Sequence, residues 1–259
     1  MKMIVPTSAS TKLGIFLVIA CFTGAFGSWA SAKVPSEPLA TVQAIRGTAN
    51  VTVAGTGKPV KLSVDRTIDV SNTVHTQKNG KLLLRWYTGL LTSLGSGSTM
   101  TFGQRQAPER TVNVMTVNHG LLRVTKLAGG GNSTPYEVKT SEAVIEPMYY
   151  GKPVDFIVDA SSPTKSTVTV LDGMVRLKDL RGNNHVVTIV TSCHVGSIDR
   201  GRLLPVAPAT KVRNLTQLLD NATIPGTVGT WFACPVPAWR YRGASDAVAV
   251  PRQPARLGM

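Results

Sequence analysis

The sequence TVTVLDGMVRL, residues 167–177, decides the fold class of this chain. Apolar side chains recur at every second position on both sides of the Asp172-Gly173 pair. A period of two predicts a β-strand with one buried face and one wet face. Gly173 stands at the boundary between the two runs, where a tight corner is easiest for a residue that lacks a side chain. The stretch therefore predicts two short strands joined by a turn.

The same alternation recurs in short runs from Thr41 to Ile198, and Gly, Asn or Asp residues separate the runs. No stretch in this range has a convincing helical period, which excludes an architecture of parallel strands joined by helices. We predict an all-β domain over residues 41–198. Short strands with frequent corners and one apolar face are typical of a β-sandwich, or of a β-solenoid in which rungs stack.

Residues 1–32 predict export. Two lysines precede an apolar run at residues 13–26, and a stretch of small residues follows it. This order of charged region, apolar region and A-x-A site is typical of a secretory signal peptide. The apolar run is shorter than the roughly 20 residues that a membrane-spanning helix needs. We therefore expect a periplasmic or secreted protein, with the cleavage site formed by Ala30, Ala32 and Lys33.

A second interpretation of the same segment is a lipoprotein signal that ends at Cys21. Small residues precede this cysteine, and lipidation there would anchor the protein in the envelope. Phe22, Phe26 and Trp29 follow Cys21, whereas a lipoprotein tether is normally polar and flexible. Ordinary cleavage is therefore favoured, and we expect membrane attachment only with a lipidated Cys21.

The rest of the chain divides by composition. Residues 33–40 contain two prolines and no periodicity, which predicts a linker. Residues 199–242 form a C-terminal extension, in which Asn214 to Asp220 predicts a short helix and the part beyond Pro225 is rich in glycine and proline. The aromatic residues of this extension either pack along the β domain or form a ligand surface, and packing is favoured. Residues 243–259 predict a disordered tail.

Cys193 and Cys234 follow the leader, and two cysteines in an exported chain predict a single disulfide. Closing a loop of about 40 residues would stabilise the fold by roughly 4 kcal/mol on the chain-entropy account. Two unpaired buried thiols are the alternative. A metal site would need more ligands than this pair and the adjacent His194 supply.

The chain is strongly basic, with 28 Lys and Arg residues against 14 Asp and Glu residues and a formal net charge of +14. This balance favours polyanionic neighbours such as acidic cell-wall polymers, lipopolysaccharide or anionic headgroups. Charge spread over the surface for solubility is the simpler alternative, because no basic run is concentrated. No aromatic and basic module for DNA or RNA is recognisable, so we expect no specific nucleic-acid partner.

The sequence contains no H-E-x-x-H, G-x-S-x-G or Walker A motif, and we expect no catalytic, cofactor or metal site. The four histidines stand in or beside strands and turns, where an ordinary exposed role suffices. Asp155, Asp159 and Glu146 are the carboxylates from which a glycosidase pair could be built. Asp155 and Asp159 would lie about 13 Å apart on one strand face, which exceeds either glycosidase separation.

Several of these runs, in this order, resemble the FecR domain of bacterial envelope proteins. Residues 41–51 (TVQAIRGTANV) are similar to the family's first strand pair, and residues 60–84 to its polar turn followed by an apolar strand. The most specific likeness is that of residues 167–177 to the closing element, a valine strand, an acidic-glycine turn and a second valine strand. Residues 182–198 resemble the family's last hairpin. The resemblance implies a FecR-like β-solenoid or β-sandwich over residues 41–198.

The best-known members of that family are membrane-spanning regulators that sense a transporter's signalling domain and control a sigma factor. Only residues 1–12 precede the apolar run here. They are too few for the folded cytoplasmic domain of those regulators, so we expect no direct sigma-regulatory role. The resemblance then implies an exported, stand-alone, non-enzymatic module that binds an envelope protein or an envelope polymer. A lyase or hydrolase that acts on an acidic polysaccharide through a basic groove is the alternative.

The middle of the chain departs from the family pattern. A Thr-Pro, an Arg-Gly-Thr and an aromatic strand are usual there, whereas Thr140-Ser141 and residues 148–152 (MYYGK) occupy that place here. The region expected to contact a partner has thus diverged, and the partner's identity does not carry over. We predict partner contacts at this region and at the basic residues that follow the β domain, namely Met148, Tyr149, Tyr150, Lys152, Arg200 and Arg202.

Overall fold

The structure, a computed structural model, describes residues 38–126, 134–148, 152–181 and 187–210. These residues form eighteen β-strands, without a helix, in two nine-stranded sheets. In spatial order, sheet 1 contains β18 (Arg202–Pro208), β17 (His194–Asp199), β14 (Lys165–Asp172), β13 (Val154–Ser162), β10 (Leu121–Lys126), β7 (Leu91–Leu94), β6 (Lys81–Trp86), β1 (Pro38–Arg46) and β4 (Thr67–Asp69). Sheet 2 contains β16 (Val187–Thr191), β15 (Met174–Asp179), β12 (Ala143–Pro147), β11 (Tyr136–Lys139), β9 (Arg110–His119), β8 (Thr99–Ala107), β5 (Thr73–Thr76), β2 (Ala49–Thr52) and β3 (Pro59–Lys61). The prediction of an all-β domain is confirmed.

The chain crosses between the sheets at short corners. β13 pairs with β14 in sheet 1, β15 with β16 in sheet 2, and β17 with β18 again in sheet 1. Gly173 makes one of these corners with a φ of +80°, and a Cβ there would collide with the carbonyl oxygen of Pro153. β16 and β17 also lie in different sheets, because the corner at Ser192-Cys193 turns the chain from one sheet to the other. The hairpin that the resemblance implied over residues 182–198 is therefore absent from its described part.

The strand directions distinguish the two architectures that the sequence left open. Every strand pair among the described residues is antiparallel except that of β9 with β11. Stacked solenoid rungs would give runs of neighbouring parallel strands, so the solenoid alternative is not supported. Two facing sheets with a core between them are a sandwich. Both sheets keep open edges, because neither closes on itself.

One continuous hydrophobic core lies between the sheets and takes side chains from both. Trp86 of β6 stacks on Phe102 of β8 across the sandwich, with ring centroids 5.2 Å apart. The indole N–H of Trp86 donates to Thr92 Oγ1 at 3.0 Å, which satisfies this buried donor. Alternate residues of each strand point away from the core. These outward positions form the two broad faces on which a ligand can bind.

The β domain extends past its predicted boundaries at both ends. β1 begins at Pro38, inside the predicted linker, because the residues that follow Pro38 are buried in the core. β18 ends at Pro208, beyond the predicted end at residue 198, because it pairs with β17 along sheet 1. The sequence missed these ends since prolines in both segments indicated linker rather than strand.

Several predictions fall on residues outside the described ranges. They are the leader, the helix at 214–220, and the tail at 243–259. Within the described ranges, no helix has the length and hydropathy that crossing a bilayer requires.

Candidate functional site

A row of cross-strand neighbours crosses the outer face of sheet 2, and we call it the outer row. Its members lie opposite one another in successive strands, from β5 at one end to β16 at the other. At a strand spacing of about 4.8 Å, seven strands make this row about 29 Å long. The outer row consists of Thr73, Thr101, Thr116, Lys139, Val144, Lys178 and Val187.

Hydroxyl groups form the first half of the outer row. The Oγ1 atoms of Thr73 and Thr101 are 3.0 Å apart, and Asn118 Nδ2 donates to Thr101 Oγ1 at 2.9 Å. Beside them, His75 Nδ1 lies 2.8 Å from Thr99 Oγ1. Threonine is well suited to outward positions of a pleated sheet, because its β-branched side chain packs against its cross-strand neighbours. This half presents an uncharged hydrogen-bonding surface.

An ion cluster flanks the middle of the row. Glu137 is bound by Arg105 through two hydrogen bonds of 3.3 and 2.8 Å, and by Lys139 Nζ at 3.0 Å. The Glu137 side chain is only 3% exposed, whereas those of Arg105 and Lys139 are 47% and 32% exposed. Burial opposes ionisation of Glu137, but the hydrogen bonds and charges of Lys139 and Arg105 outweigh it and hold the carboxyl pKa below its usual value. Glu137 is therefore a fixed anion that anchors two cations on the surface.

A second cluster of the same kind follows along the sheet. Lys178 Nζ donates to Glu146 Oε1 at 2.8 Å, and Arg176 Nη1 lies 3.6 Å from Glu146 Oε2. Both cations come from β15 and Glu146 comes from β12, so the pairing follows the strand register. Together the two clusters place four cations and two carboxylates on this face. The surplus of cations makes it attractive to an anionic ligand.

The structure separates the predicted partner-binding residues into two groups. Met148 follows β12, and its backbone N–H donates to the Met174 carbonyl at 3.1 Å, while Lys152 is exposed nearby in the chain. Arg200 and Arg202 are exposed at the turn between β17 and β18. Tyr149 and Tyr150 lie outside the described residues.

The turn that carries Arg200 and Arg202 packs against the start of β12, whereas Met148 follows the end of that strand. Gly201 N–H donates to Glu142 Oε2 at 3.0 Å, and Glu142 directly precedes β12. Glu142 is fully buried and also pairs with Arg181 Nη2 at 2.9 Å. Because Met148 follows the same strand, the two predicted groups are about 20 Å apart along it. The structure does not bring them into one site.

Cys193 lies in the corner between β16 and β17 with a φ of 63°. Its N–H donates to the Val170 carbonyl at 2.8 Å, and its carbonyl accepts from Ala209 N–H at 2.9 Å. Its predicted partner Cys234 is outside the described residues, so the disulfide stays a prediction. The predicted leader residues Cys21, Ala30, Ala32 and Lys33 lie outside the described ranges as well.

The carboxylates considered for glycosidase chemistry lie on opposite faces of the sandwich. Asp155 and Asp159 point outward from sheet 1, and Glu146 points outward from sheet 2. Asp155 accepts from Arg123 Nε at 2.9 Å and from Arg123 Nη2 at 2.7 Å, so both of its oxygens are occupied. Among the described residues, no group of His, Cys, Asp and Glu side chains is arranged to hold a metal ion.

The ion clusters of sheet 2 were not predicted from the sequence. A signal was present, since Glu137-Val138-Lys139 and Arg176-Leu177-Lys178 each put two charges on one strand face around an inward apolar residue. What the sequence lacked was the register that places these strands beside Glu146 and Arg105. Charge pairs between strands distant in sequence depend on that register alone.

No protein-family model matches the chain, and no curated protein is similar to it. Among solved structures, it is similar to two crystal structures of what is described as "a putative anti-sigma factor" from Parabacteroides distasonis. In both, the identity is 15%, the TM-score is 0.43, and the match covers 56% of this chain and 64% of the other. The match thus spans a little under two thirds of the length of those chains.

Proposed function

We propose that this protein is an exported, non-enzymatic binding module of the bacterial envelope that holds an anionic envelope polymer along the outer row. Export is supported by the leader pattern of residues 1–32. A FecR-like module is supported by the resemblance of residues 41–198 to that family. The cationic surplus of the chain supports an anionic ligand.

The outer row is the observation that carries this proposal. It brings three threonine hydroxyls and two lysine ammonium groups into register on one sheet face, within a row of seven strands about 29 Å long. Cations spaced along a line suit a ligand with regularly repeated negative charges, because each repeat meets a new partner. A linear acidic polysaccharide has that property.

A polymer suits this face better than a folded protein does. Protein interfaces depend on aromatic or arginine anchors that fill pockets at the centre of the contact. The outer row instead offers threonine hydroxyls and lysines that are partly exposed, with no aromatic side chain among its members. Such a surface binds by many weak contacts rather than by a few strong ones.

Binding also fits the site better than cleavage of the same polymer. A lyase or hydrolase needs an acid, a base and a charge-stabilising group that converge on one atom of the substrate. Glu137 and Glu146 are each held by two cations, and an ion-paired carboxylate is a poor proton acceptor. The outer row thus holds charge without offering a reactive group.

The test is co-sedimentation of the purified protein with an insoluble acidic cell-wall polysaccharide, over a series of salt concentrations. The double variant Lys139→Gln and Lys178→Gln should bind roughly fivefold more weakly, at about 0.5 kcal/mol for each exposed ion pair lost. The matched control is Lys61→Gln with Lys165→Gln, which removes the same charge from exposed positions outside the outer row. Weak salt dependence, or equal loss in both double variants, would contradict binding along the row.

Two further measurements test the remaining parts of the proposal. Cell fractionation followed by N-terminal sequencing should find the protein outside the cytoplasm with Lys33 as its first residue. A mature chain that begins at Cys21 would identify the lipoprotein alternative. Incubation with the bound polysaccharide should release no new reducing ends or unsaturated sugars, and release of either would show an enzyme.

A further inference from the structure

The turn between β17 and β18 holds an arginine in a conformation that this residue rarely adopts. Arg200 and Gly201 are the two residues between the strands, and both have positive φ, at 49° and 72°. A two-residue hairpin turn of this kind favours asparagine, aspartate or glycine at its first position, because other side chains are strained there. Residues kept in a strained conformation are concentrated at functional sites. Arg200 therefore directs attention to this end of the sandwich.

Glu142 holds the turn against the end of β15. Its Oε2 accepts from Gly201 N–H at 3.0 Å, and its Oε1 lies 2.9 Å from Arg181 Nη2. The backbone carbonyl of Glu142 accepts from Leu180 N–H at 2.9 Å. Glu142 is fully buried, so water does not compete for these contacts. Leu180 and Arg181 are thus fixed beside the turn.

The exposed side chains at this place are one leucine and three arginines. We call the surface formed by Leu180, Arg181, Arg200 and Arg202 the basic tip. Leu180 is 44% exposed, and the side chain of Arg181 is 55% exposed. Arg200 and Arg202 are exposed as well, and neither side chain has a hydrogen-bond or ion-pair partner within the described ranges. The basic tip therefore offers an apolar group with free guanidinium groups around it.

The carboxylates near the basic tip are less accessible than its cations. Glu142 is fully buried and Asp179 is 2% exposed, so both lie below the surface. Asp199 is half-buried and lies opposite Lys165 in the strand register. The exposed ammonium group of Lys165 offsets the charge of Asp199. The charge that a ligand meets first at the basic tip is therefore positive.

We propose that the basic tip binds reversibly to the surface of an anionic lipid bilayer. Guanidinium groups form paired hydrogen bonds with phosphate, and cations beside acidic headgroups are held by their negative potential. A leucine among these cations enters the boundary between headgroups and acyl chains. A soluble phosphate would use the cations alone and gain nothing from Leu180. A bilayer uses both kinds of group.

This contact differs from the two other interactions considered for the chain. One leucine and three arginines give weak and reversible binding, whereas a lipid on Cys21 would anchor the protein. The basic tip also shares no residue with the outer row. Binding to a bilayer therefore does not depend on polymer binding at Lys139 and Lys178.

The test is co-sedimentation of the purified full chain with vesicles that contain phosphatidylglycerol, compared with vesicles of phosphatidylcholine alone. Each cation removed weakens binding to acidic vesicles about fivefold, so Arg200→Gln with Arg202→Gln should weaken it roughly 25-fold. The matched control, Lys78→Gln with Arg85→Gln, removes the same charge from exposed positions outside the basic tip and should bind like wild type. Residues 1–37 and 211–259 are identical in both variants, so a difference between the variants comes from the basic tip.

Two single variants separate the apolar contribution from the structural one. Leu180→Ser should weaken binding to acidic vesicles about fivefold, because it removes the side chain that enters the bilayer. Val64→Ser, at another exposed apolar position, should not. Arg200→Asn should raise the midpoint of urea unfolding, since asparagine suits the left-handed turn position, and should weaken vesicle binding about fivefold. A purely structural role of Arg200 would not give opposite effects on stability and binding.

Four results would overturn the inference. The first two are equal binding to both kinds of vesicle and an equal loss in the two double variants. The third is displacement from acidic vesicles by soluble glycerol phosphate or by polyglutamate at equal charge, since a soluble phosphate or an acidic protein would then be the ligand. The fourth is lost vesicle binding in Lys139→Gln with Lys178→Gln, which would assign the bilayer contact to the outer row. Failure of polymer binding would leave all four measurements unaffected.

Discussion

Replacing Glu137 by glutamine tests the central ion cluster of the proposed binding face. The carboxylate accepts three contacts from Arg105 and Lys139 within 3.3 Å. Glutamine keeps one acceptor oxygen but turns an amide donor toward a cation, so about two charge-assisted bonds are lost. Removing one partner of a fully buried ion pair costs about 3 to 5 kcal/mol, because the remaining charge is left buried without a partner. Arg105 and Lys139 are 47% and 32% exposed and regain water, so we expect a loss of about 2 kcal/mol.

The pH dependence of the stability difference between wild type and Glu137→Gln shows whether the charge of Glu137 or only its shape stabilises the fold. The folded-state pKa of Glu137 is lowered, so its stabilising contribution is complete above the ordinary carboxyl pKa of about 4.3 and is lost as pH falls through the lower folded-state value. Urea unfolding should therefore show the full difference between wild type and Glu137→Gln at pH 7, and a shrinking difference as pH falls below 4. Glu109→Gln, at an exposed turn position, is the matched control and should change little. An equal difference at neutral and acid pH would refute the electrostatic reasoning.

Two further predictions concern the fold. Phe102→Ala should lower the free energy of unfolding by about 3 to 5 kcal/mol, because it leaves a cavity beside Trp86 at the centre of the core; a loss below about 1 kcal/mol in chemical unfolding would show that the sheets collapse onto the gap. Gly173→Ala should cost roughly 2 kcal/mol more than Gly57→Ala, since both have positive φ but only Gly173 faces a close carbonyl oxygen. Equal losses in thermal unfolding would mean that backbone conformation alone sets the cost.

The residues predicted to bind a partner illustrate the limit of reading a site from sequence. Met148 and Arg200 drew attention as an atypical segment and as local basic charge. In the structure they lie at opposite ends of β12. Composition gives no distance between two segments, because the path of the intervening strands through two sheets sets that distance.

The outer row shows the opposite case, in which residues that do not stand out in the sequence lie together in the structure. Each of its residues is ordinary in the sequence, a threonine, lysine or valine at an outward position of a short strand. Thr73 and Lys178 are far apart in the chain, and only the cross-strand register aligns them. A shift of one residue in any pairing would turn a member of the row into the core.

The sequence by itself determined that the chain is all β and which side of each strand is buried, because a period of two is a local property of successive side chains. The tertiary structure decided which strands share a sheet. Residues 167–177 contain two well-predicted strands, yet the corner at Gly173 sends β14 to sheet 1 and β15 to sheet 2. Sheet membership, register and the charged face all depend on hydrogen bonds and packing between segments distant in the chain, and no local pattern specifies those contacts.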